Sequence, residues 1–156
     1  MKLLYGLATS IALWVGVWVY VSIGMADLKF YPWIGFVAWA AFYAAGGSKD
    51  GVVKPLFASV AGVLLTALTM YLVGQVGGSL TALIVLVAIL AFILVAIAQI
   101  SFFSYTPAAF LGAATFFGTG GKPDESVLFV ISSWVAGLVL GYLSEWLGKK
   151  ISKPAA

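Results

Sequence analysis

Charged residues fall so rarely along this chain that they divide it into four uncharged runs: Leu3 to Ala26, Phe30 to Ser48, Pro55 to Gly121 and Ser126 to Ser144. A charged side chain at the centre of a membrane costs about 2.5–3.5 kcal/mol on insertion scales, so charges mark where the chain must surface. At about 20 residues per pass, the first, second and fourth runs each hold one span and the long third run holds three. Gly74 to Ser79 and Ser101 to Pro107 divide that run, because glycine, serine and proline favour turns over continued helix. The pattern predicts helices over about Leu3 to Gly24, Pro32 to Gly46, Val52 to Val73, Ser79 to Ile100, Pro107 to Gly118 and Ser126 to Leu147. Helix is expected over a transmembrane barrel because the runs are continuously apolar and do not alternate. The second and fifth segments are short, and as re-entrant half-helices they would leave four true crossings.

The lysines discriminate between these topologies. Six crossings with a cytoplasmic amino terminus put Lys2, Lys49, Lys54, Lys149, Lys150 and Lys153 inside and only Lys29 and Lys122 outside, whereas four crossings divide them evenly. The positive-inside rule therefore favours six spans with both termini cytoplasmic and 149–156 as a cytoplasmic tail. The uncharged run after Lys2 exceeds the roughly 7–15 residues of a signal-peptide core, so the first segment is read as a retained anchor.

Composition agrees. Hydrophobic residues make up 63% of the chain and charged ones 8%, with a mean hydropathy of +1.14, which excludes a water-soluble fold. Six passes leave almost nothing for an extramembrane domain, so residues 1–156 are expected to form one transmembrane domain. The net charge of +3 comes from eight lysines without arginine, too scattered for a nucleic-acid surface. With no cysteine and no histidine, and every carboxylate in a loop or at a helix end, the usual means of acid-base, nucleophilic and metal chemistry are missing. No enzymatic activity, catalytic residue, metal or cofactor is therefore expected. Asp50 with Lys54 and Glu145 with Lys149 stand at helical i,i+4 spacing and read as surface pairs at helix ends.

The chain also matches itself. Ala40, Phe42, Tyr43, Gly46, Gly47 and Asp50 correspond at one constant spacing to Ala114, Phe116, Phe117, Gly120, Gly121 and Asp124. One inserted residue later, Val60-Ala61-Gly62-Val63 corresponds to Val135-Ala136-Gly137-Leu138. The expected unit is three spans long, 3–76 and then 79–148, and because three is odd the second copy is inverted in the membrane. Inverted repeats recur in channels and transporters, where they place equivalent elements about a central site.

No ionisable group falls inside a span, so a small neutral solute is easier to accommodate than an ion. Candidate pore-lining residues are the aromatics Trp14, Trp18, Trp39, Phe42, Tyr43, Phe110, Phe116 and Phe117, with the polar Gln99, Thr106 and Thr115. Tryptophan normally prefers the interface, so mid-span Trp14, Trp18, Trp39 and Trp134 imply either close packing or an aromatic-walled passage. Serines and threonines within spans ordinarily bond to the preceding turn or a neighbouring helix. Ala58 with Gly62, and Ser133 with Gly137 and Gly141, form small-residue faces that suit helix contacts inside the bundle or between copies, and a homo-oligomer is expected.

The stretch from Pro32-Trp33-Ile34-Gly35-Phe36-Val37-Ala38-Trp39 through Phe42-Tyr43-Ala44-Ala45-Gly46-Gly47, with the later Pro107-Ala108-Ala109-Phe110-Leu111-Gly112-Ala113-Ala114, resembles the YcdZ-like family of small bacterial inner-membrane proteins. The likeness runs over most of the chain and implies a multi-pass inner-membrane protein of unknown function. Fold-level analogy with six-span channels for urea and short amides points the same way as the repeat. The expected function is a channel or facilitator for a small neutral solute such as urea, an amide, ammonia or a gas. The alternatives are a secondary transporter of a small solute and a non-transporting structural or assembly subunit.

Overall fold

A computed structural model describes residues 2–152, so Lys153 and the three positions after it in the expected tail lie outside the described residues, whereas Lys149 and Lys150 continue the last helix. Among the described residues the chain is helical with no strand. The α-helices are α1 (Leu3–Val19), α2 (Pro32–Ala44), α3 (Ser48–Gln75), α4 (Leu80–Ala96), α5 (Thr106–Gly118) and α6 (Ser126–Ile151). The first span is prolonged by a π-helical turn at Tyr20–Gly24, and the α4–α5 connection contains short 3₁₀ turns at Ile97–Gln99 and Ser101–Phe103. The first, third, fourth and sixth segments are long and apolar enough to cross a membrane. By contrast α2 and α5 have 13 residues each, about 20 Å of helix against a hydrocarbon core about 30 Å thick.

Helix ends follow local chemistry. Prolines at the first turns of α2 and α5 start them where an N–H would have no partner anyway. Gly46-Gly47 ends α2, Gly77-Gly78 ends α3 and Gly120-Gly121 ends α5, all six with positive φ. In each pair the second glycine N–H reaches back to the carbonyl five residues earlier, from Gly47 to Phe42, Gly78 to Val73 and Gly121 to Phe116. The first reaches back three, so each end is a Schellman motif that satisfies carbonyls otherwise left bare.

The helices fall into two compact units. One comprises residues up to Val52 with those from Ser133 onward, and is built from α1, α2, the start of α3 and most of α6. The other runs from Val53 to Ser132, with most of α3, all of α4 and α5, and the first turns of α6. The third helix of each sequence half thus packs with the first two helices of the other half.

In the first unit, α1 presents a seam at four-residue spacing. A Cβ added at Gly6 would meet the Gly148 carbonyl and the Ser152 hydroxyl, and one at Gly148 would meet Leu7, so the start of α1 lies directly on the end of α6. Three turns on, the Trp18 indole lies over Gly35 of α2, its Nε1 donates to the Pro32 carbonyl at 2.9 Å, and its ring packs 5.4 Å from Phe30. Gly137 of α6 sits on the Gly35 carbonyl and Ala38 Cβ, and Gly141 on the Phe42 ring. Trp18, Trp39 and Leu140 form a hydrophobic cluster in this unit, with Trp14, Val15 and Tyr43 packed around it.

The second unit repeats part of this arrangement with different side chains. Gly62 of α3 meets the Ala109 carbonyl and Ala113 nitrogen of α5, and Gly112 of α5 meets the Ser59 carbonyl of α3. Gly62 corresponds to Gly137, and Ala109 to Gly35, in the internal sequence match. Matched positions therefore carry the closest helix approach in both units. Ala58, Leu90, Leu94, Ala108, Ala109 and Ala113 form a hydrophobic cluster, which fastens α4 onto α5. Close packing of small residues substitutes here for a hydrophobic driving force, which lipid cannot supply between helices. Much of α4 remains outward-facing, with Ile84, Val85, Ile89, Phe92 and Val95 exposed.

Candidate functional site

The short helices, thinnest in the sequence, are among the most enclosed in the structure. Ile34, Ala38, Trp39 and Phe42 of α2 are buried, as are Ala108, Ala109, Thr115 and Phe116 of α5. Phe42 and Phe116, partners in the internal match, are both fully buried, each within its own unit.

Three hydrogen bonds of the first unit converge on Ser144 of α6. Ser144 Oγ donates to the Gly141 carbonyl at 2.8 Å and receives the Trp39 indole N–H at 3.0 Å. Tyr43 lies 2.9 Å from the same oxygen. A hydroxyl has one proton and two acceptor sites, so with its proton already committed Ser144 must accept from Tyr43. The Tyr43 oxygen is then left with acceptor capacity. Ser144 is one helical turn before Gly148, and Ser10 one turn after Gly6, where α1 and α6 touch. This antiparallel register brings Ser10 to the level of Ser144.

Ser10 is completely buried, yet its Oγ has no hydrogen-bond partner among the described residues. The Nε1 of Trp14, one turn further along α1, is also buried without a partner. By contrast Thr9 Oγ1, Thr66 Oγ1 and Thr115 Oγ1 satisfy themselves on carbonyls of the preceding turn. A buried donor or acceptor left unmet costs about 1–3 kcal/mol. Ser10 and Trp14, one helical turn apart on α1, are the two residues with such groups among the described ones, and Trp39, Tyr43 and Ser144 belong to the same unit.

The structure distributes the remaining candidates widely. Trp14, Trp18, Trp39, Phe42 and Tyr43 belong to the first unit, and Trp18, Trp39, Trp14 and Tyr43 share its aromatic cluster. Gln99, Thr106, Phe110, Thr115, Phe116 and Phe117 belong to the second. Gln99 is exposed at the end of the α4 segment, Thr106 is half-buried at the start of α5, and Thr115 is buried with its hydroxyl on the Gly112 carbonyl. Phe110 and Phe117 face outward beside Ala113 and Ala114, where with Val87, Leu90, Ala91 and Leu94 they line an apolar groove of about 180 Å³. Sequence reasoning did not single out Ser144 or separate Ser10 from other hydroxyls; the four-residue alignment of Gly6, Ser10, Trp14 and Trp18 was the available signal.

Long apolar helices, an outward surface rich in large apolar side chains and interiors knit by glycine define an all-helical membrane protein. Residues 8–149 match the model for the family described as "Protein of unknown function (DUF1097)", and the chain belongs to that family. It is 30% identical over 152 residues to the uncharacterized protein YahC of Escherichia coli K12, covering 92% of this chain and 90% of the relative. It is 29% identical over 165 residues to the inner membrane protein YcdZ of the same organism, covering 99% of this chain and 94% of that protein. The resemblance to the YcdZ-like family holds over nearly the whole sequence. No solved structure matches the chain.

Proposed function

We propose that the protein is an inner-membrane facilitator for a small neutral polar solute, with the Ser10–Trp14 step of α1 as a station on its path. The single observation carrying this reading is the pair of buried, unpartnered groups Ser10 Oγ and Trp14 Nε1. Neighbours at i,i+4 on a helix have Cβ atoms about 5–6 Å apart, so one molecule of water, ammonia or amide size can meet both. Trp14 asks for an acceptor, while Ser10 can give or accept a proton. A guest of mixed donor and acceptor character answers both. The first span carries no charged residue from Leu3 to Ala26, which favours a neutral guest over an ion and passive passage over ion coupling.

The wider proposal is six crossings in two inverted halves, with both termini cytoplasmic. Its support is the matched geometry: equivalent glycines at Gly62 and Gly137, equivalent Schellman ends after α2 and α5, and short central helices in both halves. The relative called an inner membrane protein supports the location. A homo-oligomer would cover the exposed face of α4.

The test is stopped-flow light scattering on proteoliposomes challenged with urea, glycerol, ammonia and short amides. Wild-type vesicles should exceed empty ones for at least one solute, without saturation or dependence on an ion gradient, and Ser10→Val should reduce that flux several-fold. Rates equal to empty vesicles throughout would sink the proposal. A second reading, a non-transporting membrane subunit, is favoured by the completely enclosed Phe42 and Phe116 rings. It predicts that Ser10→Val raises stability and changes no flux.

A further inference from the structure

One end of the first unit carries a second feature, independent of the solute path. Ser48, Lys49, Tyr142, Glu145, Trp146 and Lys149 enclose an open cavity of about 190 Å³ where α3 begins and α6 approaches its end. Its geometry is fixed by Glu145, whose carboxylate accepts the Ser48 backbone N–H at 2.7 Å and the Lys149 ammonium at 2.6 Å. Ser48 holds a left-handed backbone, φ +58°, that turns the chain sharply into α3 and aims this N–H at the carboxylate. Lys150, the next residue of α6, stacks over the Trp146 ring at 4.9 Å.

We propose that this cavity is a headgroup site for an anionic phospholipid, with the phosphate between Lys49 and Lys149. Three observations identify the occupant. The first is charge: Lys49 and Lys149 line the cavity and Lys150 borders it, against the single lining carboxylate of Glu145, so the site keeps a net positive charge after Lys149 pairs with Glu145. Lys49 is exposed and has no ion-pair partner among the described residues, so its charge is available.

The second is depth. Tyr142 and Trp146, 40% and 52% exposed, lie on the last turns of an apolar span, where amphipathic rings mark the level of lipid headgroups. The third is continuity: below this cavity the outward surface of α6 is the exposed Val139 and Val135, so acyl chains descending from a headgroup meet apolar surface and not solvent. Basic pockets beside transmembrane helices are a recognised form of anionic-headgroup site. A zwitterionic lipid brings a cation beside Lys49 and Lys149 and should be discriminated against.

The test uses the full chain purified in mild detergent, loaded with equimolar phosphatidylglycerol and phosphatidylcholine and read by native mass spectrometry. Wild type should retain phosphatidylglycerol preferentially. Lys49→Gln should lower that retention about five-fold, the effect of one lysine near an anionic headgroup. Lys49 is exposed, so the variant keeps the fold. Lys122→Gln, on the α5–α6 connection in the other unit, should leave retention unchanged. Equal retention of both lipids, or an unaltered preference in Lys49→Gln, would overturn the proposal. Displacement of the lipid by millimolar inorganic phosphate would also overturn it, assigning the lysines to a soluble anion.

Discussion

Replacing Gly62 by alanine tests the central packing argument. The added methyl group would fall onto the Ala109 carbonyl oxygen, 2.9 Å from the carbonyl carbon and 3.1 Å from the Ala113 nitrogen. These are backbone atoms of α5 and cannot rotate aside, so α3 and α5 must separate. Overpacking costs about 1–3 kcal/mol, and rigid backbone opposite the methyl group favours the upper end. Alanine returns about 1 kcal/mol of helix propensity over glycine, which leaves a net loss of about 2 kcal/mol. For a chain of this length that is a fall in Tm of roughly 4–8 °C. Gly137→Ala should behave alike, since its methyl would meet the Gly35 carbonyl and lie 2.7 Å from Ala38 Cβ. Gly16 is the control: a Cβ there has nothing within 4 Å, so Gly16→Ala should raise Tm by roughly 2–4 °C from propensity alone. Circular dichroism melts in one detergent, repeated as titrations with sodium dodecyl sulfate, measure all three. Gly62→Ala and Gly137→Ala melting at or above wild type would refute the claim that close backbone approach holds each unit's own helices together.

Ser144→Ala should destabilise the protein by about 1–3 kcal/mol for the buried Trp39 Nε1 it strands and by less for the half-buried Tyr43 hydroxyl, and blue-shift tryptophan emission little because Trp39 stays buried. A smaller loss in Tyr43→Phe/Ser144→Ala than the two single variants predict together would show the shared bond. At the start of α6, Asp124 Oδ1 accepts the Ser126 N–H at 2.8 Å, and this bond, with the Ser126 side chain, holds the Asp124 carboxyl below its ordinary 3.8. A depressed carboxyl contributes stability that is present above the unfolded value and lost as pH falls through the folded one. Wild type should therefore lose more stability than Asp124→Asn on acidification below about pH 4, measured as the difference between their acid melts.

Charges bounded the helical segments, because each is expensive in hydrocarbon and must mark an end, and turn residues divided the long uncharged run between Pro55 and Gly121. Their refinements were local. The third helix begins at Ser48, earlier than Val52, because the Glu145 carboxylate meets its first N–H, and the sixth runs on to Ile151. The first and fourth spans finish in π and 3₁₀ turns instead of regular helix. Inward and outward faces were far less legible. When every face is apolar, periodicity no longer separates core from surface, so Phe110 and Phe117 looked equivalent to Phe116, although they face outward and Phe116 is sealed. Glycines carried that missing information: Gly62, Gly137 and Gly141 stand where neighbouring helices press closest. Ser144 escaped notice because a serine in an apolar span gives no local sign that Trp39 and Tyr43, about a hundred residues away, converge on it.

The exchange of third helices has a consequence for synthesis at the ribosome. The unit from Val53 to Ser132 is continuous in sequence, so its partners emerge together and can close while the chain is still being made. The other unit must wait: α1 and α2 enter first, but the glycines that receive them, Gly137, Gly141 and Gly148, belong to the last helix. Through most of translation Gly6, Ser10, Trp18 and Gly35 have no α6 to meet, and an early stop would strand the oldest part of the chain, not the youngest.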